Sequence, residues 1–307
     1  MSVNITDSIQ RRLTRIAGVP GAHAKPAACG LLATCPHCAS HKGVQLEAGS
    51  STVVASLCRC VENCSLCGGS CMKPSNDNVV AFCTATNPRK VVGLINEARI
   101  PVRYLGADLA KFEGFSSKEP LQKTTVANWL RTLQPGKSSG LLLSGPVGMG
   151  KSWFLAAVAK HLAFQGISVR YADFFQLVHE LRDAYSKERS DKSSLVPFQQ
   201  VDVLIIDELG KGRNSEWELS VADSLISERY NANKCIIAAT NYPLSGSPED
   251  NAKREINYLR AADQATTNQM NANTFEPLSQ RIGARMFSRL SENCVCIEVS
   301  GADRRRR

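Results

Sequence analysis

The sequence predicts an α/β domain, a parallel sheet flanked by helices, preceded by a small metal-binding module. Three observations carry this reading. From Gly140 onward apolar strands alternate with helical patterns, which is how a parallel sheet is written in sequence. Two of those strands, "GLLLS" and "VDVLIID", are apolar almost throughout, as strands covered on both faces must be. Nine of the twelve cysteines fall between Cys29 and Cys83, ahead of the domain.

The 307 residues leave room for one large domain and something smaller. With 43% hydrophobic and 21% charged residues the chain is globular material, not a disordered tail. Thirty-seven Lys and Arg against 28 Asp and Glu leave a net +9, which suits a polyanionic partner such as nucleic acid. No apolar run reaches the roughly 18 residues of a membrane span, and the start lacks the apolar core of a secretory signal. A cytoplasmic protein with no membrane partner is expected.

Residues 1–28 form a basic leader in which Ile5, Ile9, Leu13 and Ile16 share a helical stripe, with Arg11, Arg12 and Arg15 off it. It reads as a helix that docks on a partner or on the protein's own body, in preference to an organelle transit peptide. Residues 29–86 are the cysteine-rich module. Residues 87–139 are a connector that begins the α/β domain, with helical patterns around 89–98 and 121–132 on either side of "IPVRY". Residues 140–300 are the core and 301–307 a basic tail.

Within the core, strand "GLLLSG" (140–145) leads through a glycine loop into a helix ending near Phe164. "ISVRYA" is the second strand and "FFQLVHELRDAYSKE" the second helix. "VDVLIID" (201–207) is the third strand, and a helix from about Ser215 to Asn231 leads to the fourth, "CIIAAT". The polar stretch 245–274 reads as a surface insertion. "RIGARMFSRL" (281–290) reads as a helix that stacks Arg281, Arg285 and Arg289 into one positive ridge, before the last strand, "CVCIEV".

"GPVGMGKS", that is Gly145, Pro146, Val147, Gly148, Met149, Gly150, Lys151 and Ser152, fits G-x-x-x-x-G-K-[ST] without a gap. It sits between a strand and a helix, so loop N–H groups and the helix N-terminus converge on a phosphate. Lys151 is placed to reach the β- and γ-phosphates of ATP and Ser152 to ligate Mg²⁺. Asp207 ends a buried strand, where an acid is costly unless a cation meets it; Mg²⁺ shared with Ser152 meets that need. Glu208 follows and is placed to deprotonate an attacking water. The bland reading of this pair is a helix cap or a surface acid pair. Asn241 in "AATNYP" is placed to hold the lytic water; by itself a polar residue there is a turn former. The set predicts an ATPase releasing ADP and phosphate.

"CPHC" at 35–38 is followed after nineteen residues by "CRC", giving Cys35, Cys38, Cys58 and Cys60 as a zinc ligand set. Cys64, Cys67, Cys71 and Cys83 offer a second set, and His37 or His41 could replace a cysteine. Disulfides need export, which no signal peptide supports. Cys29 is left over, and Cys235, Cys294 and Cys296 read as small core residues of strands.

Glycine loop, "LIIDE", "AATN" and an arginine helix, in that order, resemble the AAA+ P-loop ATPases. "INEARIPVRY", "SERYNANKCIIAATNYP" and "RIGARMFSRLSENC" narrow the likeness to the DnaC/IstB group, over roughly residues 87–307. Eight residues follow "CVCIEV", so no helical lid domain is expected, and the insertion 245–274 departs from the group's pattern. The resemblance implies a DnaC-like loader of a replicative helicase, acting on single-stranded DNA in DNA replication as a homo-oligomer. Its alternatives are an IstB-type ATPase directing a transposase and, from another class, a small-molecule kinase. A zinc module ahead of the domain is similar to that of several loaders and favours the first. The resemblance places an arginine finger, acting on the neighbouring subunit's γ-phosphate, on Arg289, with Arg285 as runner-up. It also places Arg229 at the subunit interface and a further γ-phosphate arginine on Arg305. Arg182, Lys187, Arg189 and Lys192 occupy the place of a DNA-lining helix, balanced there by Glu180, Asp183, Glu188 and Asp191.

Overall fold

The computed structural model describes residues 35, 37–38, 43–62, 67–74, 80–82, 87–112, 114–115, 120–134, 139–186, 196–212, 215–244, 276–299 and 303. The leader 1–28, Cys29, His41, Cys64, Cys83, Lys187, Arg189, Lys192, the insertion 245–274 and Arg305 lie outside the described residues. Two compact units emerge, residues 1–112 with 156–170, and residues 113–155 with 171–307.

In the first unit β1 (Val44–Ala48) and β2 (Val53–Leu57) form an antiparallel hairpin, with Val44 opposite Leu57. The short helix α1 (Arg59–Glu62) follows, then a second antiparallel pair, β3 (Met72–Pro74) and β4 (Val80–Phe82). Helix α2 (Pro88–Ala98) starts where the Asn87 side chain accepts from the N–H groups of Arg89 and Lys90, and Arg99 ends it in the left-handed region. Its buried stripe is Val91, Leu94, Ile95 and Ala98, at helical spacing. The Asn96 side chain accepts from Ala55 N at 2.7 Å and donates to Ala55 O at 3.0 Å, continuing the pairing of β2. "IPVRY" also docks on the hairpin: Val53 N donates to Ile100 O at 2.8 Å and Val102 N to Ser51 O at 2.9 Å.

The second unit holds α3 (Pro120–Thr132) and most of a five-stranded sheet. In chain order come β5 (Gly140–Ser144), α4 (Lys151–Phe164), β6 (Val169–Asp173), α5 (Phe174–Ser186), α6 (Val196–Gln199), β7 (Val203–Asp207), α7 (Glu216–Asn231), β8 (Cys235–Thr240), α8 (Leu278–Ile282), α9 (Ala284–Asn293) and β9 (Cys294–Glu298). The sheet order is β6-β7-β8-β5-β9, with β5 parallel to both β8 and β9, and β7 parallel to β8. This is the parallel sheet flanked by helices that the sequence predicts. β5, β7 and β8 are buried at every position because helices cover both faces. Their C-terminal ends lie side by side, which gathers Gly145, Asp207 and Asn241 at one crevice. Helix α7 begins at Ser215 with a capping box: Ser215 N donates to Glu218 Oε2 at 2.9 Å and Glu218 N to Ser215 Oγ at 3.4 Å.

Three expectations change here. The single arginine ridge does not form, because Gly283, at φ 86°, ends α8 and starts α9. Arg281 therefore sits on a different helix from Arg285 and Arg289. Arg229 is not at the surface: it is 1% exposed, and its guanidinium donates to the carbonyls of Phe198, Gln199, Val201, Asp202 and Cys235. It ties α6 and the approach to β7 to the start of β8, although burial pulls its pKa down to about 10. Cys296 is exposed on the edge strand β9, whereas Cys235 and Cys294 are buried as expected.

Arg229→Ala would leave several buried carbonyls without a donor. The expected cost is about 3–5 kcal/mol, or roughly 10 °C in melting temperature. A melting temperature within about 2 °C of wild type contradicts this structural role for Arg229.

Candidate nucleotide site and cysteine cluster

The loop from Gly145 to Gly150 turns from β5 into α4, whose first residue is Lys151. Lys151 is 6% exposed, and its Nζ donates to Gly145 O at 2.5 Å, Pro146 O at 2.8 Å and Asn241 Oδ1 at 2.8 Å. Burial pulls its pKa down to about 8, with the carboxylates of Asp207 and Glu208 opposing the shift. The lysine thus fills its donors with loop carbonyls and the amide that was expected beside the γ-phosphate.

Asp207 is 7% exposed. Burial pushes its pKa up, while hydrogen bonds from Tyr171 and Ser152 pull it back. Tyr171 Oη donates to Asp207 Oδ2 at 2.6 Å, and Glu208 N donates to Asp207 Oδ1 at 3.0 Å. Ser152 and Asp207, the expected Mg²⁺ pair, are therefore in contact. Glu208 has a φ of 52°, unusual for a residue with a side chain. Its carboxylate pairs with the Lys211 ammonium and hydrogen-bonds the Asp173 side chain. Asp173 also caps α5 by accepting from Phe175 N at 2.9 Å. Burial pushes the Asp173 carboxyl up, and its bond to Glu208 adds to that. Tyr171, Asp173 and Lys211 were missed in the sequence. The first two end the second strand, beside the third, so an inward polar residue there was the available signal.

The Asp303 carboxylate lies against the loop: a Cβ on Gly148, whose φ is 87°, would fall 2.2 Å from its Oδ1. The left-handed φ favours glycine at 148, and a side chain there would also push the Asp303 carboxylate aside.

Arg289 Nη1 donates to Asp223 Oδ1 at 2.7 Å, and Arg285 Nε lies 3.7 Å from Asp223 Oδ2. Arg289 is the more enclosed, with 20% of its side chain exposed against 76% for Arg285. Arg281 points the other way, to the carbonyls of Gly210 and Gly212. On α5, Arg182 pairs with Glu218 Oε1 at 2.5 Å and lies over the Trp217 ring.

In the first unit the sulfurs of Cys35, Cys38, Cys58 and Cys60 all lie within 4.8 Å of one another. The Cys35–Cys58 and Cys38–Cys60 separations are 3.7 and 3.8 Å. Four thiolates on one zinc ion at about 2.3 Å sit about 3.8 Å apart, so this set fits a tetrahedral metal. Backbone N–H groups of Cys38 and His37 hold the Cys35 thiol down at about 6, and Gly43 N donates to Cys38 Sγ at 3.4 Å. His37 is not part of the group. Cys67 and Cys71 of the second set are among the described residues; Cys64 and Cys83 are not. No helix among the described residues is long and apolar enough to cross a membrane.

An ATP-binding protein of insertion sequence IS1162 from Pseudomonas fluorescens is 35% identical over 104 residues, 34% of this chain and 42% of that protein. The replicative helicase loader DnaC of Escherichia coli K12 is 24% identical over 107 residues, 34% of this chain and 44% of the loader. The chain spans less than half the length of these curated relatives. A crystal structure of the DnaC helicase loader aligns at a TM-score of 0.49 and 22% identity, over 64% of this chain and 99% of that one. The family model described as IstB-like ATP binding protein matches residues 82–247, more than half of the chain. The chain therefore belongs to the IstB-like ATP binding protein family.

Proposed function

We propose that the chain binds and hydrolyses ATP and works as an assembly switch that loads a replicative helicase onto single-stranded DNA. Gly145 to Ser152 hold the phosphates, and Ser152 with Asp207 hold Mg²⁺. Glu208 activates water and Asn241 positions it. Arg289, steadied by Asp223, is the finger for a neighbouring subunit in a homo-oligomer, with the more exposed Arg285 as second choice. The observation that supports a loader is the four-cysteine cluster ahead of the ATPase core, proposed to hold zinc.

A transposase-directing role is the second reading, favoured by the 35% identity to the IS1162 protein. Capture from host extract on a Glu208→Gln chain loaded with ATP separates the two. Recovery of the replicative helicase supports the loader; recovery of a transposase instead overturns it.

Nucleotide binding should depend on pH through Lys151. Free, the lysine loses its proton near pH 8; bound phosphates restore the charge. The bound state then holds more protons, so affinity falls as pH rises above about 8, and binding takes up protons there. Calorimetry in two buffers of different ionisation heat measures the uptake. Equal apparent heats near pH 8.5 contradict the assignment.

A further inference from the structure

We propose that Arg281 is a positioning residue that braces the loops carrying Glu208 and Asn241 against each other. The inference rests on the reading of this site as hydrolysing ATP. Arg281 Nε donates to Gly210 O at 3.0 Å and its Nη2 to Gly212 O, two and four residues beyond Glu208. The guanidinium lies 5.3 Å from the ring centroid of Tyr242, the residue after Asn241. Its Nη1 also lies 3.4 Å from Glu276 Oε2. Only 14% of the side chain is exposed, so it is no free surface charge.

The backbone supports the same brace. Leu278 N, at the start of α8, donates to Pro243 O at 2.7 Å, which fastens the helix to the chain beyond Asn241. Gly210 (φ 84°) packs tightly enough that an added Cβ would lie 3.2 Å from Arg281 Cγ and 3.3 Å from Leu278 Cδ1. Thr240 Oγ1 donates to Leu209 O at 2.8 Å, so the two loops also meet directly on their sheet side. Arg281 joins them on the side facing α8.

A planar fork of donors suits this place. One guanidinium can bond two carbonyls and stack on a ring at once, which an ammonium cannot. Lys151 now donates to Asn241 Oδ1; triphosphate would draw that lysine away and leave Asn241 without this bond. The brace keeps Asn241 and Glu208 in register once this happens. The contacts named above reach the loops after Glu208 and Asn241 and not the phosphate loop, so the brace is proposed to serve turnover and to leave nucleotide binding alone.

The test compares the full-length wild type with Arg281→Lys and Arg281→Gln, measuring kcat, KM and the affinity for a non-hydrolysable ATP analogue. A small displacement of a water-activating group costs up to about 100-fold in rate. The expected result is a fall in kcat of roughly tenfold or more in both variants, with KM and analogue affinity within about threefold of wild type. A smaller fall in kcat, or a loss of analogue affinity in step with it, overturns the brace. A wild type that binds the analogue but releases no phosphate from ATP overturns the ATPase reading beneath it, which is a separate result.

Discussion

Stripping zinc from the proposed four-cysteine site is expected to open the end of the module where Cys35, Cys38, Cys58 and Cys60 meet. At that end the packed cluster is the cysteines themselves, Cys35, Cys38 and Cys58 with Cys60 against them, whereas the rest of the hairpin is held by α2, by the bonds of Ala55 to Asn96 and by that of Val53 N to Ile100 O. Four converging thiolates without a metal repel or must take up protons, whereas a tetrahedral metal neutralises them. A set of four sulfurs favours zinc over Mg²⁺ or Ca²⁺. Structural zinc in small modules contributes about 10–16 kcal/mol at neutral pH, so the effect is large. Cys58→Ser, or a chelator strong enough to strip zinc, should abolish hydrogen-exchange protection at Cys58, Val61 and Glu62, whose N–H groups donate to Gly43 O and Cys58 O. The metal content should be at least one zinc per chain. Less than one, or unchanged protection after chelation, contradicts a structural zinc site.

The phosphate loop, the acid pair after "VLII" and the strands were legible because each is a local pattern. Apolar runs fix strands wherever helices cover both faces, and the glycine loop is read from eight consecutive residues. The first cysteine set was legible for the same reason, its spacing being set by one knuckle and one hairpin. What was not legible depends on partners far along the chain. The family resemblance placed Arg229 at the subunit interface; here five carbonyls, most of them distant in sequence, enclose it. The four-residue spacing of Arg281, Arg285 and Arg289 argued for one ridge, and Gly283 between them outweighed it. Asn96 gave no sign that it would complete the pairing of β2 from 41 residues away. Cys296 looked like core because its strand is apolar, but β9 is an edge strand.

Glu208→Gln should keep nucleotide and lose hydrolysis. The glutamine is the same size but cannot take a proton from water, and general bases contribute about 10²–10⁴-fold. Lys151, Ser152 and Asp207 are untouched, so ATP should stay bound. The substitution also removes the charge that pairs with Lys211, while the amide can still hydrogen-bond Asp173, and the phosphate cradle is not disturbed. Lys151→Ala should fail earlier, at binding, because it removes the only ammonium that reaches the loop carbonyls among the described residues.

The measurement that reaches the central claim most directly is phosphate release from ATP and Mg²⁺ by purified wild type, beside nucleotide binding and phosphate release by Glu208→Gln. The prediction is steady release by the wild type, and full binding with release lowered at least about 100-fold in the variant. Equal release by the two chains, or none by the wild type, contradicts it.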